Sequence, residues 1–111
     1  MTGDDLIGKN ISDRYLIESE LGKGALGVVF EAKDSFLDRK VAIKVLQERM
    51  ATDTVAALRF QREAKMAASL HHPNIVTVYD FGVLEDARPY LVMECLRGIS
   101  IEQFLKDNLR M

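Results

Sequence analysis

The sequence predicts an α+β fold, in which a five-stranded antiparallel sheet packs against one major helix and a short C-terminal helix follows. Short runs rich in β-branched and aromatic residues are separated by polar connections, and a glycine-rich turn joins the first two runs. Between the third and fourth runs, the segment 52–72 contains neither Gly nor Pro. An uninterrupted segment of that length favours one long helix.

Composition indicates one small globular domain. The chain has 111 residues, of which 48% are hydrophobic and 29% are charged, and its net charge is −2. No long run of one charge sign occurs, which argues against a nucleic-acid surface. The single cysteine, Cys95, excludes an internal disulfide and favours a reducing, cytoplasmic location. No apolar run approaches the roughly 20 residues of a membrane span.

The first half of the chain predicts three strands after a flexible leader at residues 1–13. The first strand runs from Tyr15 to Leu21, because its apolar residues alternate with glutamates. The second runs from Val28 to Lys33 and the third from Val41 to Leu46, and the polar residues 34–40 connect them.

The long helix begins near Thr52, Asp53 or Thr54, each of which is a favourable N-cap, and ends before Pro73. Its apolar stripe contains Phe60, Ala64, Ala67 and Leu70.

Glu63 lies within that apolar stripe, where a carboxylate needs a partner or a proton. The best candidate is Lys44, the other charge on an apolar face. The alternative is a glutamate at the rim of the helix, paired with Arg59.

The last third of the chain predicts two more strands, at residues 75–79 and 89–94, joined by a loop at 82–88. The adjacent histidines at 71 and 72 are interpreted as part of a turn, since no other Cys or His residues have metal-ligand spacing. Ser100 and Gln103 form a capping box for a final helix. The apolar residues of that helix are Ile101, Phe104, Leu105 and Leu109.

Gly22, Gly24 and Gly27 form a G-x-G-x-x-G motif, which several nucleotide-binding folds share. Strand-forming residues follow it, whereas a dinucleotide-binding motif opens a helix, and no Gly-Lys-Ser/Thr of a P-loop is present. A glycine loop between antiparallel strands can still cradle phosphates with its backbone N–H groups. Lys44 lies on the third predicted strand amid apolar residues, where its charge needs an anionic partner such as a phosphate. The alternative is a plain hairpin with a snorkelling lysine.

The order and spacing of these two motifs resemble the N-terminal lobe of a protein kinase. The resemblance runs from about Asp13 to Leu105 and is similar in detail to bacterial Ser/Thr protein kinases. It rests on R-Y at the first strand, D-R-K-V-A-I-K-V-L, R-E-A in the helix, H-P-N-I-V-T-V-Y-D and Y-L-V-M-E-C-L. It implies a nucleotide-binding lobe at residues 14–98 and the start of the C-lobe at 99–111.

By this resemblance, Lys44 would hold the α- and β-phosphates of ATP and pair with Glu63. Met93 would be the gatekeeper, and Val29 and Ala42 would cover the adenine. The backbone of Glu94 and Leu96, in the hinge that leads to the C-lobe, would bond the adenine edge. Leu26 departs from the family, which usually has an aromatic residue at the loop tip. The complete set of implied ATP-binding residues is Leu21, Gly22, Lys23, Gly24, Ala25, Leu26, Gly27, Val28, Val29, Ala42, Lys44, Met93, Glu94 and Leu96.

The 111 residues contain no H-R-D-x-x-x-x-N catalytic loop and no A-P-E. The tripeptide Asp80-Phe81-Gly82 has the letters of the family's magnesium motif, but it precedes the hinge and is interpreted as a turn at the end of the fourth strand. Magnesium is therefore expected only in the full-length kinase, and this chain is expected to be inactive alone.

Three hypotheses remain open at this point. The chain is the nucleotide-binding lobe of an enzyme and its partner is the missing C-lobe; or it is a non-catalytic nucleotide sensor; or it is an interaction protein. For the last, apolar surface on the pocket-facing side of the sheet or on the C-terminal helix predicts a homodimer.

Overall fold

The computed structural model of the chain describes residues 6–24, 26–69 and 77–95, and for 66–69 the backbone alone. Within these ranges it contains six strands, one α-helix and a short 3-10 helix at Glu48–Met50. The strands are β1 (Asn10–Ile11), β2 (Tyr15–Lys23), β3 (Gly27–Asp34), β4 (Arg39–Leu46), β5 (Val78–Val83) and β6 (Pro89–Glu94), and the helix is α1 (Thr54–Ser69).

The strands form one antiparallel sheet in the order β1-β2-β3-β4-β6-β5. The predicted fold class is confirmed, but the sheet has six strands instead of five. The additional strand, β1, lies in the segment for which a leader was expected, and pairs Ile11 with Tyr15. Ser12 and Asp13 make the tight reversal between β1 and β2 with positive φ angles of 55° and 54°, a conformation that short polar side chains tolerate.

The fourth predicted strand is displaced along the chain, because β5 occupies Val78–Val83. Asp80 and Gly82 were interpreted as turn residues, and that interpretation is wrong. Gly82 pairs with Tyr90 of β6, and a Cβ atom at Gly82 would lie 2.5 Å from the Tyr90 ring. Glycine is therefore needed here for close packing of a ring against the strand and not for a turn.

Buried side chains form one cluster on each face of the sheet. The leader-side cluster includes Leu6, Ile11, Tyr15, Ile17, Val28, Phe30, Ala32, Val41, Ile43, Val45, Tyr90 and Val92. The helix-side cluster includes Leu26, Val29, Ala42, Leu46, Ala56, Phe60, Ala64, Leu91 and Met93. Neighbouring residues of a strand point to opposite faces of the sheet. The strands β3, β4 and β6 therefore contribute side chains to both clusters.

Two side-chain hydrogen bonds join the β1–β2 end of the sheet to its β6–β5 end, so that the sheet curls around the leader-side cluster. Ser12 Oγ lies 2.6 Å from the hydroxyl oxygen of Tyr90. The Tyr15 hydroxyl donates to Asp80 Oδ2 at 3.1 Å, and burial and this bond raise the pKa of Tyr15 to about 12. Asp80 therefore has a structural contact within the curled sheet.

Asp34 was assigned to a polar connection, yet its side chain is almost completely buried at the end of β3. Arg14 donates two hydrogen bonds to it, from Nε to Oδ1 at 2.8 Å and from Nη2 to Oδ2 at 2.9 Å. The backbone N–H groups of Phe36 and Leu37 also donate to Oδ1. The hydrogen bonds from Arg14 are the main reason that the pKa of Asp34 is about 2, and the two backbone N–H groups lower it further, although burial acts in the opposite direction. The carboxylate thus organises the β3–β4 turn.

Candidate functional site

The candidate site lies on the helix side of the sheet, where β4 and α1 each contribute one charge. Lys44 Nζ lies 3.5 Å from Glu63 Oε1. Lys44 is only 5% exposed, whereas a third of the Glu63 side chain is accessible. The contact is the one favoured from the sequence over a pair between Glu63 and Arg59. The ion pair therefore has a buried cationic end and a hydrated anionic end.

Burial dominates the electrostatics of Lys44. Loss of water around the ammonium lowers the pKa of Lys44, and the Glu63 charge opposes this effect without cancelling it. The Nζ atom also lies 5.4 Å from the centre of the Phe60 ring, which is within the range of a cation–π contact. A cation held in such surroundings gains from any anion that approaches it.

The glycine-rich loop crosses above Lys44. Gly22 and Lys23 at the end of β2 pair with Val29 and Val28 of β3, and the Gly24 N–H donates to the Gly27 carbonyl oxygen at 2.8 Å. A Cβ atom at Gly27 would lie 3.0 Å from the carbonyl oxygen of Val45 and 3.3 Å from Lys44 Cε. The absence of a side chain at Gly27 thus lets the loop lie directly against the lysine.

Leu26, at the tip of the loop, is directed into the protein and is 3% exposed. It belongs to the helix-side cluster, together with Val29, Ala42 and Met93. From the sequence, this face of the sheet was expected to expose apolar surface, and that expectation is wrong for these side chains. The face is buried because Leu26 from the loop and the apolar stripe of α1 cover it.

The strands bring most of the described, sequence-predicted residues to this face, but not all of them. Ala42 pairs with Met93 across β4 and β6, and half-buried Leu21 packs against the same cluster. Val28 is an exception, because its side chain lies in the leader-side cluster on the opposite face. Glu94, the last residue of β6, pairs with Val41 of β4 and donates its backbone N–H to the Thr77 carbonyl oxygen at 2.8 Å.

Several predicted features lie outside the described residues. They are Ala25 of the loop, Leu96 of the hinge, the turn at residues 71–74 and the final helix at 99–111.

Gln47 is a residue of this region that the sequence did not point to. It follows β4 directly, is buried, and contacts the glycine-rich loop through both its backbone and its side chain. A single glutamine after a strand has no distinctive pattern, so only the folded arrangement identifies it.

No group of three or more His, Cys, Asp or Glu residues in the described ranges is arranged to hold a metal ion. Likewise, the described part of the chain has no helix that is long and apolar enough to cross a membrane.

Comparison with known proteins identifies the family. The protein kinase domain family matches residues 15–111. The chain belongs to the protein kinase domain family. The resemblance found in the sequence motifs is thereby confirmed.

The curated relatives of this kinase-family chain include bacterial Ser/Thr kinases. A probable serine/threonine-protein kinase PknB of Lactococcus lactis is 46% identical over 103 residues, which cover 92% of this chain. The serine/threonine-protein kinase PrkC of Bacillus subtilis is 47% identical over 103 residues, which cover 93% of this chain. The matched residues make up 16% of either relative, so the chain spans about a sixth of the length of these kinases.

Solved kinase structures have the same fold. The PknI kinase domain of Mycobacterium tuberculosis is 32% identical and superposes with a TM-score of 0.64, over 94% of this chain and 41% of that domain. The kinase-family chain therefore corresponds to part of a Ser/Thr kinase domain, with the curled sheet and single helix of the N-terminal lobe.

Proposed function

We propose that this chain is the ATP-binding lobe of a Ser/Thr protein kinase. The observation that carries the proposal is the buried Lys44 beneath the glycine-rich loop, 3.5 Å from Glu63, in a chain of the protein kinase family. A buried ammonium that keeps its charge needs compensating anions. The phosphates of ATP supply them, and the glycine loop leaves its backbone N–H groups accessible to the same phosphates.

Each part of the nucleotide has a proposed contact. Lys44 binds the α- and β-phosphates, and Glu63 fixes the lysine side chain. Once Leu26, which covers them in the structure, moves away with the loop, Val29, Ala42 and Met93 of the helix-side cluster contact the adenine. The backbone of Glu94 and Leu96 bonds the adenine edge, and the loop residues 21–28 cover the phosphates, with Val28 contributing its backbone alone.

Phosphoryl transfer requires more than this lobe. A substrate-orienting Asp belongs to the catalytic loop, which the 111 residues lack. The metal ligand belongs to a magnesium motif that follows that loop, whereas the D-F-G letters at 80–82 lie in β5, where Asp80 accepts a hydrogen bond from Tyr15. We therefore assign magnesium binding and transfer to protein Ser/Thr to this lobe joined to a C-lobe. The proposed location is cytoplasmic, where ATP is available and the Cys95 thiol stays reduced.

Calorimetric titration of the 111-residue chain with ATP tests the binding part of the proposal. We expect one saturable site per chain, and no transfer of labelled phosphate to a Ser/Thr peptide. A chimaera that joins this chain to the C-lobe of Bacillus subtilis PrkC is expected to transfer phosphate.

Two results would count against this assignment. Absence of saturable ATP binding contradicts the nucleotide site, and phosphate transfer by the chain alone contradicts its dependence on a C-lobe. A chimaera that binds ATP but never transfers phosphate would favour the non-catalytic nucleotide sensor.

Self-association is a second candidate function, favoured by apolar side chains that remain exposed in the described residues. They lie in the β3–β4 turn and along the edge strand β5: Phe36, Leu37, Tyr79, Phe81 and Val83. A second copy of the chain would cover such a surface around a two-fold axis.

Size-exclusion chromatography with light scattering should then give twice the monomer mass at high concentration, and Phe81→Ser should restore the monomer. A wild-type chain that stays monomeric at every concentration would exclude it. This surface differs from the two contacts predicted from the sequence: the pocket-facing side of the sheet is buried at the described residues, and the C-terminal helix lies outside them.

A further inference from the structure

Gln47 connects the end of β4 to the glycine-rich loop. Its backbone N–H donates to the Leu26 carbonyl oxygen at 2.9 Å, and its side-chain Nε2 donates to the Gly24 carbonyl oxygen. The residue is 8% exposed, so water competes little for these groups. Two bonds from one residue therefore attach both sides of the loop tip to the sheet.

Arg49 determines which way the Gln47 amide points. Arg49 Nε donates to Gln47 Oε1 at 2.9 Å. An amide has one acceptor end and one donor end. With the oxygen occupied by the guanidinium, the NH₂ group is left to face the Gly24 carbonyl. Arg49 thus supports the bond from Gln47 to the loop.

The attached loop is closed over Lys44. Leu26 is buried in the helix-side cluster, and Gly27 lies against the aliphatic part of the lysine. Lys44 is 5% exposed in this arrangement, and the loop covers the side of the lysine against which Gly27 lies. Phosphates that bind between the loop and Lys44 must first lift the loop, and lifting it breaks the contacts of Gln47.

We propose that Gln47, oriented by Arg49, is a positioning residue that latches the glycine-rich loop closed over Lys44, and that a nucleoside triphosphate must open this latch in order to bind. The second clause rests on the ATP-binding function proposed above. The latch itself does not, because it concerns the loop in the absence of nucleotide.

The test of the latch uses the 111-residue chain without nucleotide and the variant Gln47→Met, which keeps the side-chain length but removes the amide. Two readouts follow the loop: hydrogen exchange of the Gly24 amide, and acetylation of Lys44 by an amine-reactive ester, measured against the exposed Lys65. Loss of one hydrogen bond worth about 0.5 to 1.5 kcal/mol predicts about two- to tenfold faster exchange and acetylation.

Arg49→Met is a second variant, expected to act in the same direction with a smaller effect. Gln61→Met, on the exposed face of α1, is the matched control and should change neither rate.

The nucleotide arm measures the Kd for ATP in the same variants. Because Gln47→Met removes a contact that ATP must break, its Kd should fall about two- to tenfold, while that of Gln61→Met stays unchanged.

Unchanged acetylation and exchange in Gln47→Met would overturn the latch. Faster acetylation together with weaker ATP binding would show that the latch does not oppose ATP binding and that Gln47 instead preorganises the loop for the nucleotide. Faster acetylation in a chain that binds no ATP in any variant would support the latch and overturn the proposed function instead.

Discussion

Replacement of Lys44 with methionine is expected to weaken ATP binding about 10- to 100-fold without destabilising the protein. Each hydrogen bond to a charged group contributes about 1.5 to 3 kcal/mol, and Lys44 is the buried cation of the proposed phosphate site. Methionine keeps the unbranched shape of the side chain but cannot bind phosphate. Titration with ATP and thermal unfolding of the same two proteins give both quantities.

Stability should be unchanged or slightly higher in Lys44→Met because the lysine is costly to bury. Desolvation lowers its pKa even with Glu63 beside it, so the folded state gains when the charge is removed. Glu63 is left without the lysine, but a third of its side chain is exposed and water can solvate it.

Lys65→Met, on the exposed face of α1, is the matched control and should preserve both affinity and melting temperature. A large fall in the melting temperature of Lys44→Met would show that the lysine stabilises the fold and is not held there at a cost for phosphate binding. Unchanged ATP affinity would remove Lys44 from the site.

Replacement of Asp34 with asparagine is expected to lower the free energy of unfolding by about 2 to 4 kcal/mol. Breaking a buried ion pair costs about 3 to 5 kcal/mol, and a smaller loss of about 2 to 4 kcal/mol is expected here because the Arg14 side chain is 28% exposed and can be solvated. The change also weakens the hydrogen bonds that Asp34 accepts from the backbone of the β3–β4 turn. Urea unfolding measures the difference.

The matched control is Asp38→Asn in the same turn. Asp38 pairs with Lys33 at 3.0 Å, but its side chain is 84% exposed, so its loss should change stability by less than about 0.5 kcal/mol. Equal effects of the two substitutions would contradict a structural role for the buried carboxylate.

The effect of Asp34→Asn should also depend on pH. The folded protein lowers the pKa of Asp34 from 3.8 to about 2, so the stabilisation is fully present above the unfolded value. It is lost as pH falls through the folded value. The stability difference between the wild type and Asp34→Asn should therefore be constant above pH ~4 and shrink between pH ~4 and ~2.

The central strands could be predicted from the sequence because they are buried on both faces. The predicted and observed bounds agree for β6 and differ by at most two residues at either end for β3 and β4. The edge strands were less predictable. β1 has two residues, too few for an alternating pattern. β5 carries Asp80 and Gly82, whose turn propensity is overridden by pairing with β6 and by the Tyr90 ring.

The charged part of the site was also predictable, since Lys44 and Glu63 each stood out as a charge on an apolar face. The roles of Asp34, Leu26 and Gln47 were not, because each depends on a residue distant in the sequence. The buried carboxylate of Asp34 is paired with Arg14, 20 positions away. The Gln47 side chain donates a hydrogen bond to Gly24, 23 positions away. Local propensity carries no information about such contacts.

The most direct test of the central claim is labelling with an acyl-phosphate derivative of ATP, which transfers its acyl group to a lysine next to the bound phosphates. If the nucleotide binds beneath the glycine-rich loop, mass spectrometry should find the label on Lys44, and excess ATP should abolish it. Labelling that is spread over exposed lysines such as Lys65 and is insensitive to ATP would contradict the nucleotide site proposed for this chain.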